Sequence, residues 1–166
     1  MKHIIDDIEG RLESKVPALK YIAQDWGQLS LYVNGERPPV KFPCALVDIQ
    51  SGQFSNDGNL VQEGLLQITI TIADLTQNIS RKAPIDLTEL ERRIYDIMQD
   101  IYKALHGWSG HVDYSGFVRT SFGRVIRTDG IRMRTINFTC NWQDRYAEPV
   151  IDRTPAATVK VSVSRL

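Results

Sequence analysis

Apolar and polar positions along this chain follow two different periods, and the switches between them divide it into elements. From Thr88 to His106 (TELERRIYDIMQDIYKALH), Leu90, Ile94, Ile97, Ile101 and Leu105 recur at three- and four-residue steps, along one side of a 3.6-residue helix. Glu89, Arg92, Arg93, Asp96, Gln99, Asp100 and Lys103 fill the other side. Thr88 and Glu91 have capping-box spacing, so the helix is expected to begin at Thr88. Gly107, which enters the left-handed conformation without a Cβ penalty, is expected to stop it. Residues 3 to 16 form a second amphipathic helix through Ile4 or Ile5, Ile8, Leu12 and Val16. Gly10 weakens it by about 1 kcal/mol relative to alanine, and Pro17 ends it.

Elsewhere the period is two. Between Leu65 and Asp74, Leu66, Ile68, Ile70 and Ile72 alternate with Gln67, Thr69 and Thr71, the pattern of an antiparallel sheet covered on one side only. Cys44 to Gln50 is a strand with Ala45, Val47 and Ile49 on one face, and it pairs with the first as a long hairpin. Ser51 to Asn59 (SGQFSNDGN) lies between them as an exposed loop or hairpin tip. A second hairpin joins Phe117 to Thr128 and Ile131 to Trp142 across Asp129-Gly130, a strong short-turn signal. Ile136, Phe138, Cys140 and Trp142 share its apolar face, and Arg132 and Arg134 continue the same parity beyond the covered core.

Residues 18 to 33 fit neither period. Leu29, Tyr32 and Val33 favour extended structure, with Asp25-Trp26-Gly27 as a turn between two short strands. Asn34-Gly35 is a turn signal, ERPPVKFP a rigid extended connector, and Leu75 to Pro84 an exposed one. After Trp142 a polar stretch (QDRYAEPVIDRTPA) leads to a thin strand, Thr158 to Val163, suited to a sheet edge or to docking on a neighbour. Helix, hairpin, helix, hairpin is the order of an α+β two-layer sandwich: a mainly antiparallel sheet of two hairpins with both helices on one face. The chain reads as a single domain, 1–166, with a core over 3–144 and a C-terminal extension over 145–166.

Composition narrows the function classes. The 166 residues, 42% hydrophobic and 24% charged, are those of an ordinary globular protein. Twenty basic residues balance twenty acidic ones, whereas a dedicated nucleic-acid binder carries a positive excess. Cys44 and Cys140 each fall inside a strand, so two buried free thiols and a reducing, intracellular compartment are expected. Asp6, Asp7 and Glu9 interrupt the apolar core that a signal peptide needs, and no stretch approaches a membrane helix. The triplets at Asn78 and Asn137 are therefore read as chance matches to the glycosylation pattern.

No stretch carries a catalytic motif. Gly107-Trp108-Ser109-Gly110 approaches a nucleophile elbow, but position 111 is histidine, and a helix precedes it where a strand should. His106, His111 and Asp113 are metal-type residues on a glycine-rich loop without a fourth ligand nearby, so no metal and no cofactor are expected. Asp6-Asp7 and Asp96/Asp100 lie on solvated helix faces. The most interesting cluster is basic: Arg119, Arg124, Arg127, Arg132 and Arg134 on the second hairpin, with Phe117 and Phe122 among them. It admits three readings: a phosphate-backbone contact, a protein-partner or subunit interface, or a solvated strand face.

KFPCALVDIQ after an N-terminal helix, EGLLQITITIADL, a single amphipathic helix and a final INFTCNWQD together resemble the tail terminator, or tail-completion, proteins of tailed bacteriophages and prophages. The likeness runs from about His3 to Asp144 and is one of element order. It implies a non-enzymatic virion protein that forms a hexameric ring on the end of the tail tube. The ring would contact the tube protein and a neck or head-completion protein, and DNA would pass through it without sequence readout. The same resemblance implies a place in the virion tail, and in the host cytoplasm during assembly. Two other classes stand beside it: a nucleic-acid-associated protein using the Arg119 to Arg134 hairpin, and a small-molecule-binding domain or enzyme whose site comes from residues distant in sequence.

Overall fold

The computed structural model describes residues 2–34, 40–58, 60–75 and 85–148. Along them run α1 (Lys2–Lys15), β1 (Tyr21–Gln24), a 3₁₀ segment (Gln28–Asn34), β2 (Cys44–Gly58), β3 (Val61–Leu75), α2 (Ile85–Leu105), β4 (Val118–Val125) and β5 (Ile131–Asp144). The five strands form one sheet in the order β1-β2-β3-β5-β4. Every pairing is antiparallel except that of β1 with β2. The sheet is therefore two hairpins plus one parallel edge strand. The turn at Asn34-Gly35, the connectors 35–39 and 76–84, the Asn78 triplet and the strand Thr158 to Val163 fall wholly or partly outside the described residues.

Both helices lie on one face, which makes the fold α+β with two layers. Ile4, Ile8, Leu12 and Val16, with Ile94, Ile97, Ile101 and Leu105, are buried against a sheet face built from Ala45, Val47, Leu66, Ile68, Ile70, Ile72, Ile136, Phe138, Cys140 and Trp142. These are the positions that the two periods assign to the core, and burying each large one is worth roughly 1.5–3 kcal/mol. Two polar contacts fix the helices further. Arg11 donates from Nε to the Ala104 carbonyl (3.1 Å), tying α1 to the last turn of α2. Arg93 of α2 grips the carboxylate of Asp74 at the end of β3, with contacts of 2.7–3.0 Å. Cys44 and Cys140 are free and buried, and burial pushes both thiols up to about 12.

Four expectations need correction. α2 begins at Ile85, so Thr88 lies inside its first turn and is not its cap. Gly107 does follow it in the left-handed conformation, with φ +75°. The polar stretch from Ser51 is not a loop: β2 continues through it to Gly58 and pairs with β3 along its length, with bulges after Ile49 and Asn56. Ladder hydrogen bonds suffice there, because the segment is exposed and needs no apolar face. Phe54 supplies what packing there is, its ring lying where a Cβ on Gly52 or Gly64 would otherwise be.

Third, Gln28 to Asn34 is 3₁₀ and not a strand. The buried Gln28 accepts from the Trp26 N–H (2.9 Å) and donates to the Gln24 carbonyl (3.0 Å), closing a local turn that competes with extension. Leu29 is thereby placed on the other side of the sheet, in a small cluster with Cys44, Leu46, Ala73 and Ile131. That face is covered at one end, so the sheet is not one-sided throughout. Fourth, β4 stops at Val125 and five residues, not two, connect it to β5.

Between α2 and β4 the chain makes a tight return. Gly107 N–H donates to the Phe117 carbonyl (2.8 Å), and Phe117 N–H donates to the Trp108 carbonyl (3.1 Å). Gly116 permits this approach, since a Cβ there would lie 2.7 Å from the Gly107 carbonyl oxygen and 2.9 Å from its carbon. The obstacle is backbone and cannot rotate away. Gly116→Ala is expected to cost about 2 kcal/mol, seen as a lower urea midpoint at unchanged slope. A loss under about 0.5 kcal/mol would mean that the return can open freely.

Candidate functional site

The five arginines of the second hairpin do not form one cluster. Arg119 and Arg124 on β4, with Arg132 and Arg134 on β5, share the helix-side face, because Arg119 pairs across the ladder with Phe138 and Arg124 with Arg134. Arg127 belongs to the opposite side. It lies in the β4–β5 connection, where it grips the Asp129 carboxylate and donates to the Leu29 carbonyl (2.6 Å). Its guanidinium holds the Asp129 carboxyl below the usual aspartate range. Arg127 therefore clamps the 3₁₀ segment to the turn beyond the end of β4. Arg132, half-buried, sits opposite Asp74 in the ladder.

On the helix side the arginines meet aromatics of α2. The Arg119 guanidinium lies 3.8 Å from the centre of the Tyr102 ring, within cation–π range. Arg134 lies 5.4 Å from the Tyr95 ring centre and donates from Nη2 to its hydroxyl (2.9 Å). That hydrogen bond, and then the charge of Arg134 itself, lowers the Tyr95 hydroxyl from its ordinary value, with Arg132 and Arg124 adding smaller contributions. Phe122 stands between Arg119 and Arg124 along the strand, 68% exposed, while Phe117 is part of the core. The outcome is a positively charged, aromatic strip along the open edge of the sheet. Arginine, tyrosine and phenylalanine are residue types enriched in protein interfaces. Tyr95 and Tyr102 are legible in the sequence as a pair two helical turns apart. Their spacing with the arginines is not, because it depends on how α2 crosses the sheet.

At the other end of the sheet, the segment 109–116 packs on α1. Tyr114, buried, donates to Asp7 Oδ2 (2.8 Å) and accepts from the Gly110 N–H (3.1 Å). Burial, then the Asp7 bond, raises its hydroxyl well above the usual tyrosine range. The Ser109 hydroxyl lies within hydrogen-bond distance of the carbonyls of His111 (2.8 Å) and Tyr114 (2.7 Å), which share its one proton, and the Gln143 N–H donates to the Asp113 carbonyl (2.7 Å). Of the three metal-type residues weighed in the sequence, His111 and Asp113 come together with His3 of α1, and His106 instead accepts from the Arg119 N–H (3.3 Å). An open cleft of about 750 Å³ adjoins this segment, between Phe54, Gly64 and Leu65 on the hairpin and Val112, Tyr114 and Trp142. Among the described residues no helix is long and apolar enough to cross a membrane.

No protein-family model matches the chain, and no curated protein matches it. Among solved structures it is similar to a chain of a particle described as "Virion of native gene transfer agent (GTA) particle". The match has 9% sequence identity and a TM-score of 0.50, and it covers 82% of this chain and 92% of the other. At that identity the likeness is one of fold.

Proposed function

We propose that this chain is a structural, non-enzymatic component of a phage-like particle, acting as a ring-forming tail terminator or neck protein. The observation that carries the reading is the shared fold, which extends over nearly all of a virion chain and most of this one. The order of elements supports the tail-terminator role. The proposed contact is heterologous: the edge of one subunit meets a different surface on the next, so that the chain of contacts closes into a ring of six. In the virion tail this ring would cap the tube protein on one side and meet a neck or head-completion protein on the other. DNA would pass through its lumen without sequence readout.

Charge complementarity favours one pair of surfaces. The sheet ends in β4 on one side, with Arg119, Phe122, Arg124 and Arg134, and in β1 on the other, beneath α1. α1 presents Asp6, Glu9 and Glu13. Burial, and then Asp6, raises the Glu9 carboxyl above its ordinary value. A basic strip against this acidic helix would relieve that repulsion. The geometry is less suited to holding a nucleic acid through all five arginines, because Arg127 is spent on Asp129 and Leu29.

The chain at micromolar concentration, alone and with tail tubes, tests the proposal by sedimentation and negative-stain imaging. Rings, or tubes capped at one end, are expected. Phe122→Ala should weaken assembly roughly 30-fold, about 2 kcal/mol, while leaving the exposed position without effect on folding. A chain that stays monomeric and never marks a tube end would end this reading.

A further inference from the structure

We propose that His3, His111 and Asp113 form a binding site for one divalent transition-metal ion, of which zinc is the natural probe. The three side chains come from the first turn of α1 and from the segment packed on it. One ligand atom from each lies within 4.8 Å of the others. His111 Nδ1 is 3.1 Å, and His3 Nε2 3.8 Å, from the same oxygen, Asp113 Oδ2. A tetrahedral ion with bonds near 2.0–2.1 Å sets its ligand atoms about 3.3 Å apart, so small side-chain rotations bring all three to it.

The local hydrogen bonding points the same way. The single lone pair of His111 Nδ1 accepts a long hydrogen bond from the Asp113 N–H (3.3 Å), and the same nitrogen lies 3.1 Å from Asp113 Oδ2. His3 Nε2 is buried, has no hydrogen-bond partner among the described residues, and lies 3.8 Å from the same oxygen, too far for a bond. Two ring nitrogens and a carboxylate oxygen therefore converge, one of them on a long backbone N–H contact that an ion could replace. A cation at their centre satisfies all three, and two imidazoles with one carboxylate are a donor set suited to zinc and its neighbours.

The frame is rigid enough to hold such an ion. His3 packs between the rings of Trp142 and His111, each centre 4.9 Å away. Ser109 and Gln143 fix the backbone on either side of the ligands, and Tyr114 ties the segment to Asp7 of α1. The glycines that make this segment look mobile in the sequence are thus held by side-chain bonds. A bound ion would join α1 to the 109–116 segment at a second point.

The test uses the full-length, tag-free chain titrated with zinc chloride against a chromophoric chelator, with cobalt absorption as a check on coordination. One ion per chain is expected, together with a higher Tm. His111→Gln and His3→Gln should each weaken binding at least about tenfold, and His106→Gln should leave it unchanged. His111 is exposed, so its variant keeps the fold even if His3→Gln does not. No binding at micromolar zinc, or binding that survives His111→Gln or disappears with His106→Gln, overturns the site. Ring formation is read separately, so failure here leaves the assembly proposal standing.

Discussion

Trp142→Ala is expected to lower folding stability by about 4 kcal/mol, at the high end for a single substitution. Trp142 is among the largest side chains that the fold buries completely, and it lies where three parts of the chain meet. It sits on β5, its ring stacks at 6.4 Å on that of Tyr114, and His3 of α1 packs at 4.9 Å. Removing it opens a cavity under the contact between α1 and the 109–116 segment, which the hydrogen bonds of Tyr114 and Ser109 keep from collapsing. Trp142→Phe should behave differently. Among the described residues the indole N–H has no hydrogen-bond partner, so phenylalanine loses no bond there and should cost under about 1.5 kcal/mol. Urea unfolding of the two variants decides the matter. An alanine variant as stable as the phenylalanine one would mean that this junction is loosely packed.

Arg93→Ala should cost about 2–3 kcal/mol. Asp74 is 4% exposed, and Arg93 supplies two nitrogens to its carboxylate while remaining partly open to water. Truncating the arginine leaves a buried negative charge without its guanidinium, and the penalty lies mainly in that abandoned charge. The double variant Arg93→Leu, Asp74→Leu should therefore recover much of the loss. If single and double variants are equally unstable, the pair contributes through attraction and not through avoided desolvation. If the single variant costs under about 1 kcal/mol, water must reach Asp74 from the β3 end.

The core was legible because it depends on periods. Ile94, Ile97 and Ile101 at helical steps, and Ile68, Ile70 and Ile72 at alternate positions, point inward whatever surrounds them. What could not be read depends on polar bonds between distant residues. Gln28 turns its segment into a 3₁₀ helix through two local bonds that a hydrophobic pattern does not register. Arg127 looks like its four neighbours in sequence, yet only its contacts with Asp129 and Leu29 reveal it as a clamp. His3 lies more than a hundred positions from His111, and nothing short of the packing of α1 brings them together. Within Ser51 to Asn59 the opposite holds: backbone pairing with β3 as far as Gly58 overrides a composition that favours turns. Of the arginine strip, the charge and Phe122 are visible in the sequence; that Tyr95 and Tyr102 join them is not, because it depends on how α2 crosses the sheet.

The placement of β3 has a mechanical consequence. It is paired on both flanks, with β2 from Val61 to Ala73 and with β5 from Gln62 to Leu75. A pull along its axis must shear both ladders at once, so the load is shared by many hydrogen bonds and the strand behaves as a stiff rod. A sideways pull on β1 meets only four paired residues, from Tyr21 to Gln24, and can peel them one after another. Force applied to this protein would therefore be carried through the middle of the sheet and would first give way at the β1 edge.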